Sequence, residues 1–462
     1  MNTPVDTQDA VEFVDRALAG DLLPEFSEEA LALRFASENE GQLHYVAPSS
    51  NWMHWDGTHW QQDRTGRALD RVRALCRDAA KRAKSVTNDG RLPMTIASAK
   101  TVSALERLAR VDHRIAATVE QWDGDPWLLN TPAGTVDLRT GLLRKHDPTD
   151  YITKMTAVSP GGECPLFRRF LSRITGEDDD LQKFLARVFG YALTGSTREH
   201  ALFFCYGSGA NGKSVLLNTL SKILGDYACT APVETFTASH SDRHPTELAR
   251  LRGARLVTAT ETERGRSWSE ARIKSLSAGD KIAARYMRQD YFEFLPAFKL
   301  VIAGNHKPGL QSVDEAMRRR FHMLSFDVTI PTDERDPDLS EKLKAEAPGI
   351  LQWMLDGCAD WQRSGLRPPK IVTDATDEYL HEQDAIGAWM AERCQVFADA
   401  QDKSSNLFAS FKGWAVQAGE PAGTNKFLAS ELQKRGFKRK RTGTGSAFVG
   451  IRVTPEMYAD ER

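Results

Sequence analysis

Cysteine is scarce in this 462-residue chain, and its six copies (Cys76, Cys164, Cys205, Cys229, Cys358 and Cys394) include no C-x-x-C pair. That scatter argues against a disulfide framework and a structural zinc site, and leaves reduced, unpaired thiols as the expectation. A run of about 20 apolar residues, the length a membrane-spanning helix needs, is also missing. The opening MNTPVDTQDAVEFVD is acidic and has neither the basic nor the apolar region of a secretory signal. A cytoplasmic location is therefore expected, in a bacterial host if the chain is phage or plasmid encoded, and no membrane partner. Charge of one sign is lacking too: 61 Lys and Arg against 63 Asp and Glu give a formal net charge of −2. Any affinity for nucleic acid must then come from local clusters of Lys and Arg.

What is present is an ordinary globular composition, 41% hydrophobic and 27% charged, in a length suited to roughly two to four domains. Residues 1–160 mix helical and strand-like segments and are expected to form an accessory domain. In its basic stretch, Arg67 to Lys84, Leu69, Val72, Leu75, Cys76 and Ala79 recur at helical spacing, with Arg71 and Lys81 outside. Asn130 to Leu143 is a turn-rich strand pattern. The breaker-rich Ser159 to Pro165 reads as a boundary before a helical collar, 161–200, in which Asp178, Asp179 and Asp180 open a helix and complement its dipole. An α/β core (201–330), a helical extension (331–374) and a final small unit (375–462) follow.

The strand-like Ala201 to Tyr206 runs into GSGANGKS, Gly207 to Ser214, and then into a helical pattern. This is G-x-x-x-x-G-K-S in the strand-loop-helix context that a phosphate-binding loop requires. Its glycines let successive N–H groups face phosphate oxygens at a helix N-terminus. The nucleotide contacts expected are Gly207, Ser208, Gly209, Ala210, Asn211, Gly212, Lys213, Ser214 and Val215, with Lys213 on the β- and γ-phosphates and Ser214 on magnesium. A second strand, Arg255 to Glu263, ends in carboxylates that can hold magnesium through water and polarise the attacking water. Glu261 is the first choice and Glu263 the second; they are two apart, and only one of them is expected to point at the site. A third strand, Phe298 to Asn305, ends in an amide suited to orienting that water. Arg318, Arg319 and Arg320 precede a further apolar segment, and an arginine given to a neighbouring subunit's γ-phosphate stabilises developing charge. Arg320 is preferred, with Arg319 in reserve.

Taken in order, GSGANGKS, ATETE, IKSLSAGDKIAARY, FKLVIAGNHKP and RRRFHMLSF resemble superfamily 3 helicases, and more narrowly the helicase portion of phage and plasmid primase-helicases, the group of pox-virus and satellite-phage replication proteins. The resemblance implies an AAA+-like parallel-sheet ATPase core, an N-terminal α+β accessory domain and a C-terminal winged-helix-like unit, Leu407 to Val453. It also implies ATP and magnesium as cofactors and a homo-hexameric ring moving 3'-to-5' on single-stranded and forked DNA. The segment from Arg272 to Arg288 corresponds to a hairpin that the family projects into its channel. Lys274, Lys281 and Arg285 are its DNA-contact candidates, and Lys438, Arg439 and Lys440 those of the C-terminal unit. No clustered D-x-D carboxylates with a supporting His appear ahead of residue 130, so a separate primase or polymerase partner is expected. Two other functions fit the same motifs: an ATPase that loads or remodels replication proteins, and an origin-binding protein assembled by ATP.

Overall fold

The computed structural model describes residues 23–238, 246–261, 267–287, 290–310, 314–420, 422–442 and 445–454. Near the N-terminus, helix Glu28–Glu38 starts where the Ser27 hydroxyl accepts from the Ala30 N–H. Strands β1 (Leu43–Val46), β2 (Asn51–Trp55), β3 (Trp60–Gln62) and β4 (Ala116–Ala117) form a sheet in the order β3-β2-β1-β4. Helices Arg67–Val86, Leu92–Ile96 and Ala99–Ala109 complete this unit. The amphipathic helix expected from Arg67 onward is present, but its inner face is Ala68, Val72, Leu75, Cys76, Ala79 and Ala83. Leu69 is exposed, because it sits one position off the stripe that the two alanines complete.

Strands β5 (Leu128–Thr131), β6 (Gly134–Asp137) and β7 (Leu142–Arg144) form an antiparallel meander over the turn-rich segment. Leu129, Val136 and Leu138 join the core of the collar rather than that of the first unit. Helix Asp179–Tyr191 is capped by the Asp178 carboxylate, which accepts from the Leu181 N–H at 2.8 Å, with Asp179 and Asp180 in its first turn.

The central sheet contains β8 (Leu202–Tyr206), β9 (Ala228–Thr230), β10 (Leu256–Glu261), β13 (Lys299–Gly304) and β14 (Phe321–Ser325), all parallel, in the order β14-β8-β13-β10-β9. Both faces are covered, so the strands are apolar throughout rather than alternating. Leu202, Phe204, Leu300 and Ile302 point into one core, and Phe203, Cys205, Val301 and Ala303 into the other. Burial pushes the Cys205 thiol up to about 12 and His322, stacked on Phe203, down to about 4. A hairpin of β11 (Ile282–Ala284) and β12 (Phe292–Phe294) stands between β10 and β13 in sequence.

Beyond β14 come helices Leu339–Ala345, Ala347–Ser364 and Lys370–Glu382. The final unit holds helices Ala385–Arg393, Ser404–Ala418 and Asn425–Lys434 with β15 (Cys394–Lys403), β16 (Lys438–Thr442) and β17 (Gly445–Val453), paired antiparallel as β15-β17-β16. It has its own core around Trp389, Phe411 and Phe448. All six cysteines are free, and no helix among the described residues is long and apolar enough to cross a membrane.

Two buried cations fasten the amino edge of the central sheet. Arg255 donates to the carbonyls of Leu193 (2.6 Å) and Leu128 (2.7 Å), tying β10 to the collar and to the β5–β7 meander. Lys299 donates to the carbonyls of Thr194, Ser196 and Ala297. Burial, followed by the nearby Arg255, holds the Lys299 ammonium well below its ordinary pKa. Carbonyls just past the end of helix Asp179–Tyr191 thus stand in for carboxylates.

That helix crosses Ala347–Ser364 at backbone contact: a Cβ at Gly357 would lie 2.0 Å from the Ala186 oxygen, and one at Gly190 2.1 Å from the Cys358 nitrogen. Gly357→Ala is expected to cost about 3 kcal/mol, the upper part of the usual overpacking range. Gly413→Ala, in a helix with open space around it, should be neutral or stabilise by up to about 1 kcal/mol. Urea denaturation midpoints of the two variants check this, and equal midpoints would refute the crossing.

Candidate functional site

In a parallel α/β sheet, ligands gather outside the carboxyl ends of the strands, and here those ends are flush. Glu261 pairs with Gly304, Gly304 with Tyr206, and Tyr206 with Ser325. The register therefore brings the residues that follow β8, β13 and β14 to one edge, beside the last residue of β10.

The loop after β8 occupies the middle of that edge. At Gly207 a Cβ would lie 2.3 Å from both the Phe326 oxygen and the Asn211 amide nitrogen, so only glycine fits. Gly212, at φ +79°, begins helix Lys213–Leu224 and packs on Ile174 and Phe170, which leave no room for a side chain. It offers no side-chain cap, so the first turn of the helix, Lys213 to Val215, starts without one. Ser208, Ala210 and Ser214 are exposed; Gly209 and Val215 are half-buried.

Lys213 is buried at 5% exposure, and its ammonium donates to the Gly207 carbonyl (2.7 Å), the Asn211 side-chain oxygen (3.0 Å) and the Asn305 side-chain oxygen (3.4 Å). No carboxylate bonds to it among the described residues. Burial lowers its pKa, only partly opposed by Cys205. A desolvated ammonium held by neutral oxygens is primed to gain from an incoming anion. Asn211 is the hinge of this arrangement: its amide nitrogen donates to the Phe326 carbonyl at 3.0 Å, joining the loop to the end of β14. Its place in the motif is legible in the sequence; its bond to Phe326 is not, since 115 positions separate the two.

Glu261 closes β10 at the same edge, while its side chain and all of Glu263 lie outside the described residues. Asn305 follows β13, is exposed, and meets Lys213. Lys307 next to it pairs with Glu382 and lies over the Tyr206 ring.

The arginines lie at the other end of β14. The Arg320 carbonyl accepts from Leu202 N–H, which places the run at the amino edge, a strand length from the loop. Arg320 is buried at 9% exposure and donates to the Ser277 hydroxyl (3.2 Å) and the Ala316 carbonyl (2.8 Å). Two of its five guanidinium N–H groups are thus engaged inside its own chain. Arg319 is exposed and Arg318 stands 3.7 Å from Asp377.

The basic segment divides as well. Lys274 is ion-paired with Asp314. Lys281 sits at the base of the β11–β12 hairpin, 3.4 Å from Glu293, and not at its tip. The tip carries Arg285 over the Tyr291 ring, with Met287 and Tyr291 exposed, two residues that a search for charge passes over; Arg288 lies outside the described residues. In the final unit Lys438, Arg439 and Lys440 lie exposed along β16, and Arg439 donates to Ser446.

Among the described residues no three His, Cys, Asp or Glu side chains group as a metal site. A magnesium ion carried in with nucleotide phosphates needs few protein ligands, and the exposed Ser214 at the helix start suits that role.

Two family models match the chain: D5 N terminal like over residues 32–176, and a family of unknown function, DUF5906, over 205–320. A protein of Acanthamoeba polyphaga mimivirus named "Putative helicase" is 28% identical over 298 residues, 58% of this chain and 31% of that protein. One of African swine fever virus named "Putative primase" is 22% identical over 260 residues, 54% of this chain and 27% of that protein. The chain thus spans less than a third of the length of these relatives. Among solved structures, the apo NrS-1 C terminal region aligns with TM-score 0.47 at 9% identity, covering 92% of this chain and 99% of that one. A D5 N-terminal-like match followed by the DUF5906 match, with viral relatives named helicase and primase, is consistent with a D5-type primase-helicase family.

Proposed function

We propose that the chain is an ATP-driven DNA helicase motor whose P-loop is Gly207–Ser214. The observation that carries this reading is the Lys213 ammonium, buried at the carboxyl edge of a parallel sheet and bonded at once to its own loop and to Asn305 at the tip of β13. Glycine where a Cβ would collide, a buried ammonium with no carboxylate bonded to it among the described residues, and an uncapped helix start all fit a triphosphate. ATP with magnesium supplies the phosphoryl group that passes to water. Lys213 would exchange neutral oxygens for phosphate oxygens, regaining the charge stabilisation that burial removed. Asn305, released from Lys213, would orient the attacking water, and Glu261 or Glu263 would take its proton. Ser214 would hold the magnesium, with Glu261 reaching it through water.

Arg319 suits the trans role: exposed, at the edge opposite its own nucleotide loop, it is open to a neighbour in a head-to-tail ring. The β11–β12 tip would track single-stranded DNA through Arg285 and Tyr291, charge and stacking together. The C-terminal helices and the β16–β17 hairpin would act as a winged-helix-like unit on duplex or partner protein. A separate primase or polymerase would complete the replication machinery.

Magnesium-dependent hydrolysis, stimulated by single-stranded DNA, should fall at least about 100-fold in Lys213→Ala, and strand displacement on a forked duplex should vanish. A wild type that hydrolyses ATP yet neither responds to DNA nor displaces a strand would transfer the reading to a remodelling ATPase. Arg319→Ala should lose roughly 1,000-fold in turnover with an unchanged melting temperature, and mixing it with Lys213→Ala subunits should restore activity. Arg320→Ala should instead lower stability by about 1–3 kcal/mol, since it abandons buried partners. Arg285→Ala and Tyr291→Ala should each abolish DNA stimulation while Lys281→Ala keeps it; the opposite ranking returns the DNA grip to the hairpin base.

A further inference from the structure

The helix Arg67–Val86 belongs to no part of the motor, yet it concentrates charge as no other described helix does. Seven of its residues are basic (Arg67, Arg71, Arg73, Arg77, Lys81, Arg82 and Lys84) and two acidic (Asp70 and Asp78), in a chain whose overall charge is −2. Both acids are already engaged. Asp70 pairs with Arg73 at 3.3 Å, and Asp78 with Arg34 of the neighbouring helix at 3.1 Å. Arg82 is held by Glu25, and Arg71 donates to the Asn39 side chain at 2.7 Å. Arg77, Lys81 and Lys84 are exposed and have no ion pair among the described residues.

These three follow one another at spacings of four and three, so they form a single stripe, continued by Arg73 one turn earlier. The buried set Ala68, Val72, Leu75, Cys76, Ala79 and Ala83 lies on the opposite side of the helix. The stripe therefore faces straight outward. From Arg77 to Lys84 it rises about 10 Å, a distance over which a DNA duplex presents roughly six phosphates. No aromatic residue occurs between 67 and 86, so the face lacks the stacking platforms that single-strand binding uses.

We infer that the outward stripe Arg73, Arg77, Lys81 and Lys84 is a docking surface for the phosphate backbone of duplex DNA, independent of sequence and of ATP turnover. Placed on the accessory unit, it would hold the unopened duplex while the motor works on the separated strand. Backbone contacts of this kind fix position and orientation without reading bases.

The test is fluorescence anisotropy of the full chain on a blunt duplex of about 30 base pairs, without nucleotide, from about 50 to about 200 mM salt. The variant Arg77→Ala/Lys81→Ala/Lys84→Ala is expected to weaken binding at least about 10-fold at the lower salt and to reduce the log–log salt slope by about 2–3, one per lost phosphate contact. Removing as many charges elsewhere, in Lys183→Ala/Lys344→Ala/Lys370→Ala, should change affinity less than about two-fold. Lys213→Ala should keep the full slope, which separates this surface from the motor: a failed ATPase assay leaves the inference standing. Single Arg77→Gln, with a slope lower by about 1, repeats the test should the triple variant lose helix content. An unchanged slope in the triple variant, an equal loss in the charge-matched control, or no duplex affinity in the wild type overturns it.

Discussion

Every group assigned to nucleotide chemistry depends on one constraint, the parallel register of β14, β8, β13 and β10. Ladder pairing sets Tyr206, Gly304, Glu261 and Ser325 side by side, so the loop, Asn305 and Phe326 emerge at one edge without further adjustment. A slip of one residue in β13 would turn Leu300 and Ile302 into the opposite core and withdraw Asn305 from Lys213. Burial of both faces makes that slip costly, so the apolar strands that build the core also place the chemistry.

The opposite edge is fixed by a different interaction. Arg255 and Lys299 are buried, have no carboxylate partner among the described residues, and are satisfied by carbonyl oxygens of the collar and the meander. A buried cation needs all its donors met, so these carbonyls cannot drift from the sheet. The meander and the central sheet are joined at this polar junction, with Tyr227 beneath Arg255 and donating groups of Asn130 nearby. Arg319 stands at this same edge, next to Arg320, whose carbonyl accepts from the Leu202 N–H at the start of β8. Asn211 links the two edges, since it joins Lys213 to the end of the strand at whose start the arginines stand.

The surroundings of the candidate cations share a cause. Arg320 and Lys274 are candidates by charge and position, and each meets a partner tens of residues away in sequence, Ser277 and Asp314. Lys281 directly precedes β11, so it stands where the chain enters the hairpin. Side-chain partners and hairpin ends depend on pairing across tens of residues, which motif spacing does not encode. The acid cluster Asp178 to Asp180, a local helix-start signal, is by contrast found as read.

By itself the sequence determined what is local. It marked the strand-loop-helix frame of Gly207 to Ser214, the glycines forced by backbone geometry, the amphipathic period of the basic helix, and the strands that end in Glu261 and Asn305. These follow from steric limits and hydrophobic periodicity within a few residues. Tertiary structure alone decided which of those ends meet, which arginine of the run is buried, and which cations of the basic helix have no ion pair among the described residues. Each of those outcomes is a competition between buried partners distant in sequence, and only the packed chain resolves it.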